Sequence, residues 1–230
     1  MLELNTWGGA REGAGRPAAN ERPDVPHVER ELGKPSEPVH VTVRLRDGVP
    51  SLRQDATWVV IVAVMTALRE RTDFRVVHYS VMTNHLHLLV EADGKEQFFD
   101  GMKALLTPLA LQLNRHFGRK GRLFAGRYHS HVLTTPREVK NALLYVLLDA
   151  RKHAAESGDD YAPHWLDPYS SAATFRGWSR PMSIASAPDV GTSPAQTWYL
   201  REGWRKAGTL DPTTIPGGTP RRARTKRNAA

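Results

Sequence analysis

The hydrophobic pattern of this chain changes period several times, and each change marks an element. From residue 39, VHVTVRL alternates β-branched and polar positions with period two, which predicts a strand over 39–45. LRQDATWVVIVAVMTALRERT (52–72) is long, carries alanine and leucine and is bounded by charge, so it predicts a helix with a valine-rich centre. FRVVHYSVM (74–82) and HLHLLVEA (85–92) predict two strands joined at Thr83-Asn84 as an antiparallel hairpin. KEQFFDGMKALLTPLALQLNRHFG (95–118) predicts a second helix, kinked near Pro108, and RLFAGRYHSHVL (122–133) a turn and a fourth strand. The last long helix, 135–154, has the clearest start: Thr135 as cap, Pro136 at the first helical position, and Glu138 three residues after the cap. Its core-facing stripe is Val139, Leu143, Val146, Leu147 and Ala150.

The order β-α-β-β-α-β plus a further helix predicts an α+β, ferredoxin-like (RRM-like) antiparallel sheet with two helices on one face. The opposite face is left for the extra helix or for a ligand. Residues 1–38 are rich in Gly, Pro, Arg and Glu without apolar periodicity, and read as a flexible arm. The domain spans 39–178. Beyond it, 179–230 reads as a linker, one short helix around 197–208 and a basic disordered tail.

Composition narrows the chemistry. The chain has 230 residues and is 40% hydrophobic, enough for one medium domain. No apolar run approaches the ~18 residues of a membrane span, the start lacks a signal-peptide core, and a cytoplasmic location without membrane association is expected. With no cysteine, any metal must be held by His, carboxylate, amide or water. The net charge of +8 points to a polyanionic partner, most simply nucleic acid. Arg115, Arg119, Lys120, Arg122 and Arg127 fall within a stretch, 101–137, that contains no acidic residue, and they are the candidate DNA-backbone contacts. Phe124 and Tyr128 are either stacking partners for unpaired bases or core residues.

The alternation in HLHLLVEA places Leu86, Leu88 and Val90 on one face of the strand and His85, His87 and Glu91 on the other. Two neutral imidazoles side by side can bind a divalent cation and leave positions open. HSH at 129–131 has the same spacing, but Ser130 between its histidines gives the strand no apolar anchor, so only the 85–87 pair is a metal candidate. On the following helix, Tyr145 lies about 200° around from Leu143, off the stripe, on a face with Asn141, Asp149 and Lys152. Asp149, four residues on, can address the same site.

NHLHLLVE resembles the His-hydrophobic-His motif of the HUH endonucleases. HYSVMTNHLHLLVEA, GRLFAGRYHSHVL and LLYVLLDARKHA together resemble single-tyrosine transposases, most of all the REP-associated tyrosine transposases, over residues 39–178. WGGAREGAGRP and WYLREGW are weaker likenesses. The resemblance implies a ferredoxin-like fold, often dimeric, that binds single-stranded DNA beside a hairpin. It implies Mg²⁺ or Mn²⁺ on His85 and His87, with Tyr145 as the nucleophile that forms a 5′-phosphotyrosine link. The third ligand, commonly Asn or Gln, corresponds here to Asp149, a departure that adds negative charge where a phosphate approaches. Tyrosine ionises near ~10, so such a nucleophile needs electrophilic help or a base. The resemblance thus implies an HUH single-tyrosine transposase or endonuclease. The competing readings are a catalytically inactive ferredoxin-like protein that binds single-stranded nucleic acid, and a hydrolase using an activated water.

Overall fold

The structure is a computed structural model that describes residues 34–182 and 190–217. Strands β1 (Val39–Arg44), β2 (Phe74–Val81), β3 (His85–Ala92) and β4 (His129–Val132) form one sheet in the order β2-β3-β1-β4, every neighbouring pair antiparallel. Helix α1 (Asp55–Leu68) follows β1, α2 (Lys95–His116) follows β3, and α3 (Pro136–Ser157) follows β4. This is the ferredoxin-like arrangement expected from the element order.

Alternation decides which way each strand faces. In β1, Val39, Val41 and Val43 are buried and join Leu86, Leu88 and Val90 of β3 in a core shared with α1 and α2. Burying a side chain of this size contributes about 1.5–3 kcal/mol. At the closest approach of α2 to β2 stands Gly101, where a Cβ would lie 2.1 Å from the Phe74 ring. No larger residue fits there.

The sheet's other face is not open. β2 is buried along its whole length and β3 is buried from Leu86 onward, the mark of a sheet covered on both sides. The cover is a second core, in which Val77 and Leu89 meet Val139, Leu143, Val146 and Leu147 of α3. An irregularity in the β2–β3 register between Val76 and His78 accompanies the change of facing that brings Val77 there.

α3 begins as its sequence requires. Thr135 accepts a hydrogen bond from the Glu138 amide, while the Glu138 carboxylate accepts from the amides of Thr134 and Thr135. Gly158, in the left-handed conformation (φ 85°), ends it. α2 runs to His116 as a single helix that includes Pro108, and α3 carries a non-helical residue, Leu148 (φ −122°, ψ 16°).

The chain after 178 packs back onto the domain where it is described. Val190, Leu200, Trp204 and Leu210 are all buried, the last three in the second core beneath α3. The expected short helix is a single turn, α4 (Trp198–Arg201), followed by a 3₁₀ stretch over Gly203–Ala207. Glu91 fastens this segment. It is wholly buried on the His85/His87 face, as alternation requires, and accepts from the amides of Gln196 (2.8 Å) and Thr197 (3.0 Å) and from the Thr197 hydroxyl (2.7 Å). Arg75 pairs with it at 3.3 Å. The arm 1–33, residues 183–189 and the tail 218–230 lie outside the described residues. Among those described, no helix is long and apolar enough to cross a membrane.

Glu91→Ala would leave three donors and the Arg75 guanidinium without their buried acceptor, a loss of about 3–5 kcal/mol by the measure of broken buried pairs. Urea unfolding should show that loss, and limited proteolysis should cut faster between 183 and 197.

Candidate metal and nucleophile site

The sheet face toward α3 carries a block of polar side chains supplied by one rule on three strands. β3 contributes His85 and His87. On β1 the same alternation contributes His40 and Thr42, and on β4 it contributes His129 and His131. The register places Thr42 opposite His87, Arg44 opposite His85, and His40 opposite His131. Across this block α3 lays Tyr145, Asp149 and His153.

Asp149 is the buried centre, with 1% of its surface exposed. Its Oδ2 lies 3.6 Å from His87 Nε2 and 3.9 Å from His85 Nε2. Its Oδ1 lies 3.7 Å from His153 Nε2. None of these is a hydrogen bond: His87 Nε2 and both carboxylate oxygens are buried polar atoms with no protein partner. Such groups are costly to leave unmet. The separations match two donor–metal bonds of about 2.1 Å meeting at an angle.

The other imidazole nitrogens are committed. His85 Nδ1 lies 2.9 Å from Asn84 Oδ1, and His87 Nδ1 lies 3.0 Å from Thr42 Oγ1 and 3.2 Å from His40 Nε2. With Nδ1–H donated to those oxygens, each Nε2 lone pair is left facing Asp149. Burial pushes His87 down to about 2 and His85 to about 4, with neighbouring histidines adding to both shifts. Burial also raises Asp149 to about 6. Near neutral pH the cluster is therefore two uncharged imidazoles and one carboxylate, a donor set that fits a divalent cation. His85, His87 and Asp149 would hold it.

The Tyr145 ring stands edge-on to His87, with centroids 5.0 Å apart, and 5.8 Å from His40. Lys152 Nζ lies 5.0 Å from the centre of the same ring. The bend at Leu148 separates Tyr145 from Asp149. One picture from helix phase is corrected here: Asp149 does not share an exposed face with Asn141 but points inward, part of an unbroken buried run from Val146 to Arg151. A groove of about 350 Å³ opens beside the cluster, lined by Asn84, His85, His153, Arg53 and Tyr161 among others.

Of the basic residues, Arg115, Lys120, Arg122 and Arg127 are exposed, and Arg119 is half-buried with an inward-facing Nη1. Their loop is anchored at the His85 end of the sheet. Leu45 pairs with Phe124, the Arg46 amide donates to the Leu123 carbonyl, and the Ala125 amide to the Arg44 carbonyl, with Arg44 opposite His85. The loop therefore begins about two strand spacings, roughly 10 Å, from that histidine. Phe124 and Tyr128 are partly buried against the first core, Tyr128 beside Phe98 at 6.0 Å, in keeping with the core alternative.

Sequence reasoning missed His40, Thr42 and His153. The signals were present: His40 and Thr42 occupy the polar phase of VHVTVRL, and His153 follows Asp149 at helical spacing. Among the described residues, one His/Asp/Glu group brings its ligand atoms within 4.8 Å of one another; it contains His85, Asp149 and His153, and His87 falls outside it. The 129–131 pair forms none, although His131 lies opposite His40 on the same face.

Among known proteins, no family profile and no curated protein matches this chain. Among solved structures, a REP-associated tyrosine transposase bound to a REP hairpin matches with a TM-score of 0.50 and 16% identity, over 71% of this chain and 96% of the other. A Deinococcus radiodurans protein described as a candidate transposase matches at 0.38 and 15% identity, over 59% of this chain and all of the other. The first of these shows a shared fold.

Four substitutions test the donor set by Mn²⁺ titration of the full-length protein. His87→Ala and Asp149→Ala should abolish binding, and His131→Ala should leave it unchanged. Thr42→Val, which removes the acceptor of His87 Nδ1–H, should weaken it by about 10-fold.

Proposed function

We propose that this protein is an HUH-type single-tyrosine transposase that cuts single-stranded DNA and transfers the strand through a covalent link to Tyr145. The observation that carries the reading is Tyr145 against His87, with the unpartnered Asp149 carboxylate one turn farther along α3. A fold shared with a hairpin-bound tyrosine transposase supports the same reading and suggests hairpin-bearing DNA, of REP type, as the substrate.

Mg²⁺ or Mn²⁺ on His85, His87 and Asp149 would supply an electrophile that neutralises charge on the phosphate oxygens. The remaining work falls to the chain. Tyr145 Oη forms a bond to the scissile phosphorus, the bond from phosphorus to the 3′ oxygen breaks, and the proton lost by tyrosine is balanced by the one gained at the new 3′-hydroxyl. Attack by a 3′-hydroxyl on the phosphotyrosine reverses these bonds and restores the phenol, so strands are exchanged without an outside energy source. Lys152, over the Tyr145 ring, places a positive charge where the phosphate must arrive. Exposed Arg115, Lys120, Arg122 and Arg127, with Arg119 beside them, hold the backbone at the His85 end of the sheet.

The carboxylate at position 149 alters the electrostatics without reversing them. Two neutral imidazoles, one carboxylate and a divalent ion sum to +1, still attractive to a phosphodiester, where an amide ligand would give +2. That lower charge is also the observation favouring the second reading, a protein that binds single-stranded DNA without cutting it.

Incubation with labelled single-stranded hairpin DNA and Mn²⁺, followed by denaturation, separates the readings. Wild type should carry label covalently, and Tyr145→Phe should bind DNA normally yet form no adduct. Adduct in the phenylalanine variant would mean another nucleophile, and cutting without adduct would mean water. Binding without cutting, with cutting gained in Asp149→Asn, would establish the inactive reading.

Binding to single strands should weaken with salt at a log–log slope of about 0.7 per phosphate contact. Lys120→Ala with Arg122→Ala should flatten that slope by roughly one to two contacts. Removal of 218–230 should alter it less.

A further inference from the structure

The two oxygens of Asp149 face different partners. Oδ2 is turned to His85 and His87, and Oδ1 to His153, the residue one helical turn later. Donor atoms of His85, Asp149 and His153 lie within 4.8 Å of one another, so the third imidazole is within reach of an ion held by the other two. His85 and His153 rings approach to 6.3 Å, nearly perpendicular at 68°.

His153 is 44% exposed, and with nothing to hold it the ring would turn out into water. Its other nitrogen is engaged: Nδ1 lies 3.2 Å from a carboxylate oxygen of Glu156, three residues on. With its proton on Nδ1, the nitrogen nearer that carboxylate, the ring leaves its Nε2 lone pair facing Asp149 Oδ1. Two acceptors then face each other at 3.7 Å, the second being a buried oxygen with no donor of its own. A cation between them resolves that opposition. A carboxylate behind a ligating imidazole also sets its tautomer and raises its basicity, as outer-shell partners at metal sites do.

We propose that His153 is a third imidazole ligand of the cation site, oriented by Glu156, and that it shifts the site's preference from Mg²⁺ toward Mn²⁺, Co²⁺ and Zn²⁺. The proposal rests on reading His85, His87 and Asp149 as that site. The chemical reason lies in the donor count. Mg²⁺ favours oxygen donors and keeps its waters, whereas each added imidazole favours the later divalent ions. His85, His153 and Asp149 already make a nitrogen-rich set, to which His87 would add a third imidazole.

The test is direct cation binding by full-length protein, read without reference to DNA cleavage. Co²⁺ is titrated by its visible absorption, and Zn²⁺ and Mg²⁺ by competition against it, in wild type, His153→Ala, His153→Gln, Glu156→Gln and His87→Ala. Wild type should prefer Co²⁺ and Zn²⁺ to Mg²⁺. Either His153 variant should weaken Co²⁺ by about 10–100-fold and change its spectrum, with Mg²⁺ altered less than about threefold, and Glu156→Gln should weaken Co²⁺ by about tenfold. Because the ring is half exposed, both His153 variants should fold, which circular dichroism checks.

If the His153 variants keep wild-type Co²⁺ affinity and spectrum while His87→Ala loses both, His153 is only an ion-pair partner of Asp149 and Glu156. The proposal then fails and the two-histidine site stands. If His87→Ala also binds Co²⁺ as wild type does, the reading of the site itself has failed.

Discussion

A strand buried on both faces must satisfy two environments with alternate residues, and β3 is the strand on which this protein depends. Leu86, Leu88 and Val90 are held by the first core, so the backbone between them cannot roll. That fixes the direction of His85 and His87 to within a side-chain rotation. Leu89 and Glu91, farther along the polar side, extend the same logic: one anchors α3 and the other fastens the C-terminal segment. A one-residue slip in β3 would push imidazoles into the apolar core and expose leucines, so register and site stand or fall together.

The second constraint is the interruption of α3. A straight helix would put Tyr145 and Asp149 on similar faces, and one of them would have to leave the histidines or the water. The non-helical Leu148 lets the helix bury Asp149 completely while Tyr145 stays half-exposed beside His87. The burial is what makes the carboxylate expensive to leave unmet, and what raises its proton affinity.

Much of this could be read from residues alone. The ferredoxin-like order, the capping box of α3, its apolar stripe and the facing of the 85–87 histidines all follow from local periodicity and end signals. What could not be read depends on contacts distant in sequence. His40 and Thr42 matter because β1 lies against β3 in one register, and His153 matters because the end of α3 bends over the sheet. Residues 183–196 look like linker by composition, since Ser, Ala and Pro dominate there, and 197–208 look like one short appended helix. The apolar residues Val190, Leu200, Trp204 and Leu210 are nonetheless spaced to fill the cores. Phe124 and Tyr128 could be read either way, because aromatic residues in a basic loop look the same from sequence whether they stack on bases or pack on a core.

The two cores also close at different moments of synthesis. Every fully buried residue of the first core except Val190 lies at or before Leu123, so β1, β2, β3 and their two helices can settle while the chain is still emerging from the ribosome. The second core takes residues from as far along as Leu210. Until those arrive, α3 lacks the partners that press it onto the sheet, and Asp149 has no dry place to occupy. A nascent chain thus holds its histidines in position well before its carboxylate and tyrosine join them. Burial of this site depends on residues as far along the chain as Leu210.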